Sequence, residues 1–102
     1  MSIQTGPIEE ILAPYLALID AFLAGRISVE AFERQYLDTF LAETRTIPSE
    51  PFEMLNELFG DVDAFCGDVQ LYRPGIDLDE GELRDRCSHA VVRLLDYQTR
   101  GR

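Results

Sequence analysis

Apolar positions along the chain recur every three or four residues in four separate stretches, the spacing of one face of a helix. The first runs from about Ile8 to Ala24, with Ile8, Ile11, Leu12, Tyr15, Leu18, Ile19 and Phe22 on one side. Pro14 falls inside it and predicts either a kink or the start of the regular part, and Gly25 suits its C-terminal end. Ser28 is placed to cap a second helix reaching about Thr44, with Val29, Phe32, Tyr36, Leu37, Phe40 and Leu41 inward. A third begins near Ser49 or Pro51 and turns Phe52, Leu55, Leu58, Phe59, Val62 and Phe65 to the core, with Gly67 as its end.

The stretch from Asp68 to Leu78 holds Pro74 and Gly75 and reads as a loop. Asp79 then caps a fourth helix, with Glu82 three positions on as the acidic half of a capping box. Leu83, Cys87, Ala90, Val91, Leu94 and Leu95 form its inward face, and fraying is expected after Tyr97. No segment alternates as a strand would. Four amphipathic helices with short links, in 102 residues, predict an all-α fold: an antiparallel up-and-down four-helix bundle. One domain fills the chain, with its core over about residues 8–97.

Charge changes the picture. Nineteen acids against nine bases, all of them arginine, leave a net charge of -10. Residues 46–82 hold ten acids and only Arg73, whereas residues 83–102 hold five arginines and two acids. Glu50, Glu53, Glu57 and Asp61 fall within roughly 80° of arc on the third helix, opposite its apolar face. Asp63 lies at the edge of the core face, where its carboxylate is expected to be held more firmly than the others. A solvated helix often shows a charged stripe, and acids at the start of the fourth helix complement its dipole. Neither explains so few interleaved bases, because like charges four apart repel. Such a surface repels nucleic acid and anionic membranes and steers basic proteins toward it.

Other chemistry finds little support. His89 is a lone histidine beside a core face, and with Cys66 and Cys87 it lacks zinc-ligand spacing; both thiols read as buried hydrophobes rather than a disulfide. Asp61-x-Asp63 and Asp77-x-Asp79 lack the glycine and glutamate that complete a calcium loop. There is no phosphate-binding glycine loop and no nucleophile elbow. The expectation is therefore no enzyme, no metal and no cofactor. The N-terminus has no secretory pattern and no apolar run is long enough to span a bilayer, which suggests a cytoplasmic protein.

Two stretches carry a resemblance. Leu18-Ile-Asp-Ala-Phe-Leu-Ala-Gly-Arg-Ile-Ser-Val-Glu-Ala-Phe-Glu-Arg34 resembles the first helical hairpin of colicin D-type immunity proteins. Glu57-Leu-Phe-Gly-Asp-Val-Asp-Ala-Phe65, an acidic loop and Ile76-Asp-Leu-Asp-Glu-Gly-Glu-Leu83 are similar to that family's third helix, loop and fourth helix. Together they cover most of residues 15–95. The resemblance implies a protein that is a monomer when free and binds one basic toxin nuclease, in the colicin D case a tRNA-cleaving ribonuclease. Its acids would stand in for RNA phosphates, at positions matching Asp61, Asp63 and Asp68. Where the family can carry further acids, this chain has Cys66 and Gln70. Glu57, Asp77, Asp79 and Glu80 extend the acidic surface, with Tyr72 and Phe65 as candidate aromatic anchors. Charge reversal at Glu9 or Glu30, outside the acidic segment, is expected to matter little. A general nucleic-acid mimic and a helical interaction module are the rival classes.

Overall fold

The computed structural model describes residues 6–68 and 70–100; of residues 6 and 7 it describes the backbone alone. Four helices account for most of them: α1 (Gly6–Leu23), α2 (Val29–Leu41), α3 (Ser49–Asp63) and α4 (Glu80–Arg100). Among the described residues no strand forms, apart from a single bridge between Phe65 and Leu78. Each helix packs on its sequence neighbours, and α1 also packs on α4, which closes the ring.

The core follows the predicted spacing. Leu12, Tyr15, Ile19 and Phe22 of α1 meet Val29, Phe32 and Tyr36 of α2, with Leu55, Leu58 and Val62 of α3 and Leu83, Cys87 and Leu94 of α4. Burial of these side chains is the main driving force for assembly. The Phe22 and Phe32 rings stack at 4.6 Å. Tyr36 is fully buried, and its hydroxyl donates to the Leu55 carbonyl at 2.8 Å, so no polar atom is stranded.

The ends of the helices have local causes. Gly25, at φ 80°, ends α1: its N–H reaches the Phe22 carbonyl and that of Arg26 reaches Ala21, the paired bonds of a glycine C-cap. The Ser28 side chain accepts from the Ala31 N–H at the start of α2, as expected. Asp79 and Glu82 form the reciprocal capping box of α4, at 2.8 and 2.9 Å. Pro14 does not interrupt α1. It lies on the exposed side, where water can satisfy the carbonyl that it leaves unserved.

Several boundaries and faces differ from expectation. α2 stops at Leu41 rather than Thr44, leaving Leu41 in its last turn 72% exposed instead of inward. α3 stops at Asp63 rather than Gly67, because the next residues are captured by Leu78: the Cys66 N–H donates to the Leu78 carbonyl and the Leu78 N–H to that of Ala64. Phe52 sits in the first turn of α3 and is 43% exposed, one ring face against Phe40. Leu95 is also largely exposed, because Leu94 takes the core position of that turn. α4 continues past Tyr97 to Arg100, where Arg100 holds Asp96 and Glu50. Cys87 is buried, Cys66 only half-buried, and both are free thiols.

Candidate functional site

Three of the four acids in the α3 stripe are matched inside the molecule, Glu53 being the exception. Arg86 and Arg93 of α4 hold Asp61 and Glu57, each at 2.9 Å, and Arg100 holds Glu50. These arginines recur every seven residues and so share one face of α4. The basic counterpart that the third helix lacks in its own segment is thus supplied by the fourth. Asp61 is half-buried beside Arg86, and burial raises its pKa against the opposing pull of that arginine. The firmly held carboxylate at the end of α3 is therefore Asp61. The side chain of Asp63, expected in that role, is exposed and makes no ion pair or hydrogen bond among the described residues.

The connection between α3 and α4 is tightly braced. Asp68 accepts from the Gln70 N–H through its side chain and from Leu71 and Tyr72 through its carbonyl. Arg73-Pro74-Gly75-Ile76 is a type II turn, closed by the Ile76 N–H on the Arg73 carbonyl, with Gly75 at φ 84°. Asp77 is buried beneath it. Its carboxylate takes the Arg73 N–H and two bonds from the same guanidinium, at 2.9 to 3.1 Å. Those hydrogen bonds hold its pKa below the usual carboxylate range. Tyr72 is half-buried and donates to Glu82 at 3.0 Å, while Glu80 is paired with Arg84. Arg84 in turn donates to the Phe22 carbonyl and lies 4.4 Å above that ring, tying the start of α4 to the end of α1.

Every described arginine except Arg34 is held in an ion pair with an acid of the same chain. Of the described acids in no ion pair, Glu30, Glu33, Asp63, Asp68, Asp79 and Glu82 gather at one end, while Glu10, Asp38, Glu53 and Asp85 are spread over the rest of the surface. Glu30, Tyr72, Asp79 and Glu80 line a cavity of about 270 Å³ floored by Val29, Phe65 and Cys66. Glu33 is partly buried, and burial first, then Glu30 and Asp63, push its pKa up. The structure thus adds Glu30 and Glu33 to the acidic end. Glu30 lies outside the acidic segment in sequence but not in space. The three-residue step from Glu30 to Glu33 marks one face of α2, yet nothing in the sequence says that this face meets the end of α3.

Elsewhere the titratable groups serve packing. Tyr15, Tyr36 and Cys87 are raised by burial, Cys87 to about 12, so all three stay protonated near neutrality and are poor nucleophiles. His89 lies beside Glu57, Asp61, Arg86 and Arg93 in a shallow groove between α3 and α4. Among the described residues no three of His, Cys, Asp and Glu converge to hold a metal ion.

Residues 11–94 match the family model described as bacterial self-protective colicin-like immunity. The chain belongs to that family. No curated protein and no solved structure matches it. The matched span of this colicin-like immunity protein runs from the first core turn of α1 to the last of α4 and contains the whole acidic end. No helix among its described residues is long and apolar enough to cross a membrane.

Proposed function

We propose that this immunity protein is a colicin D-type inhibitor that binds one basic toxin nuclease, a tRNA-cleaving ribonuclease, and blocks it without doing chemistry. Its acidic end lies over the toxin's active-site cleft, in the bacterial cytoplasm where the toxin's substrate is found. Asp63 and Asp68, with Asp79, Glu30 and Glu33, present the carboxylate array, and Tyr72 and Glu80 border it. Glu57, Asp61 and Asp77 play a lesser part, since each already holds an arginine. The scaffold is an antiparallel up-and-down bundle. The opposite order of the pairs 50–100, 57–93 and 61–86 on α3 and α4 supports that arrangement.

The observation that carries the reading is the distribution of charge: every described arginine but Arg34 is held by an acid of the chain, and six carboxylates in no ion pair gather at one end. Lysine and arginine in a nuclease cleft, which bind phosphate, would donate charge-assisted hydrogen bonds to these oxygens. Steering between opposite charges speeds association and fades with salt.

The test is to co-express the chain with the toxin encoded beside it and measure both cell survival and tRNA integrity. Protection, together with 1:1 capture that weakens along a salt gradient, is the expected result. Capture of many unrelated basic proteins instead would favour a general mimic. A salt-resistant self-dimer without a toxin partner would leave a structural module.

A further inference from the structure

The connection between α3 and α4 displays two large aliphatic side chains: Leu71, three residues after Asp68, and Ile76, which lines a groove with Asp61, Glu82 and Arg86. Leu71 is 67% exposed and Ile76 63% exposed. Both sit on backbone that is already fixed. The Leu71 N–H is bound to the Asp68 carbonyl, and the Ile76 N–H closes the turn that Asp77 clamps through Arg73. Both ends of the connection are tied, by the 64–66 to 78 backbone bonds and by Tyr72 on Glu82. By contrast, the aromatic candidates are engaged: Phe65 packs against the core and lines the cavity floor, and the Tyr72 hydroxyl is bound.

From this we infer that Leu71 and Ile76 are the apolar anchors by which the braced connection seats in a basic partner. The proposal rests on the reading of the chain as a toxin-nuclease inhibitor. The partner's surface is one in which apolar hollows lie among lysine and arginine side chains, complementing aliphatic groups that stand beside Asp68 and Glu82. Large aliphatic side chains in water on a pre-ordered loop bind with little ordering cost. Burying each removes apolar surface worth at least a tenfold change in affinity. The acids set the association rate and its salt dependence, whereas the two aliphatics set how long the complex lasts.

The test measures binding and dissociation of the captured toxin nuclease with Leu71→Ala, Ile76→Ala and Asp63→Asn across a salt series. Each alanine variant is expected to weaken Kd about tenfold or more through faster dissociation, by the same factor at every salt concentration. Asp63→Asn should instead slow association and flatten the salt dependence. Because both aliphatics are exposed, melting temperatures should stay within a degree or two of the parent, so lost binding is not lost folding. If the parent chain binds and inhibits the toxin and the alanine variants do so unchanged, the anchors are refuted and the inhibitor reading stands. If the parent chain binds no nuclease, both fall.

Discussion

Asp63 is placed badly for stability, and that makes a sharp prediction. It is the last residue of α3, a helix with no basic residue in its last turn, so its charge sits against the negative end of the dipole. A lysine there is favoured over an acid by about 0.3–1 kcal/mol. Asp63 also raises the pKa of Glu33, an unfavourable like-charge interaction. Reversing it turns that repulsion into attraction, worth another few tenths of a kcal/mol for exposed groups. Asp63→Lys should therefore stabilise the free protein by about 1 kcal/mol, or roughly 4–8 °C in melting temperature for a domain of this size. The gain should shrink at high salt, where exposed charges are screened. Calorimetry at low and high salt reads the first effect. An NMR titration of the Glu33 carboxyl carbon reads the second, expecting its pKa to fall toward the ordinary range while the part due to burial remains. On the proposed placement of Asp63 against the toxin's basic cleft, the same variant should lose inhibition of the toxin. A lower or unchanged melting temperature refutes the electrostatic account of the acidic end. A higher one with full inhibition refutes the placement of Asp63 in the interface.

Gly60 lies exposed inside α3 with nothing within 4 Å of a Cβ added there, so Gly60→Ala should stabilise by about 0.5–1 kcal/mol in thermal melts. Tyr36→Phe removes the bond to the Leu55 carbonyl and keeps the ring, and should cost about 1 kcal/mol. Glu43 takes hydrogen bonds from Arg45 and Tyr15 that lower its pKa from the ordinary 4.5 to about 2. Its stabilising contribution is complete above about pH 4.5 and lost as pH falls toward 2. Glu43→Gln should flatten the acid limb of the stability curve over that window. Thiol reagents at pH 8 should modify half-buried Cys66 in the native protein and leave fully buried Cys87 untouched until it unfolds.

The core was legible in the sequence because burial imposes a spacing that a chain displays directly. Tyr15, Phe22, Phe32, Tyr36, Leu58, Leu83 and Leu94 all sit where periodicity put them. Positions at helix ends were not, since exposure there depends on whether a neighbouring helix extends as far; Leu41 and Phe52 look apolar and inward by spacing alone. The end of α3 escaped for a different reason. A backbone bridge to Leu78, fourteen residues beyond Ala64, competes with helix continuation, and no local pattern announces it. The capping box at Asp79 and Glu82 was readable because both partners lie within one turn. Long-range pairings such as Arg86 with Asp61 were not, because composition counts charges and says nothing of register.

That register decides which acids are available to a partner. A carboxylate already paired at 2.9 Å presents a near-neutral dipole to anything approaching, so Glu57 and Asp61 attract a distant cation weakly. To engage them, a partner must displace Arg93 or Arg86 and leave that guanidinium facing its own basic surface. Asp63, Asp68 and Glu30 meet no such competition. The arginines of α4 therefore act by subtraction: they quiet Glu50, Glu57 and Asp61 along α3 and leave Asp63, Asp68 and Glu30 without an ion pair at the end where α2, the braced connection and α4 meet. Charge reversal at Arg86 or Arg93 should then spread the attraction along α3 and loosen the orientation in which a basic partner first arrives. On the proposed placement of the partner at the end of the bundle, that effect belongs to association kinetics more than to final affinity.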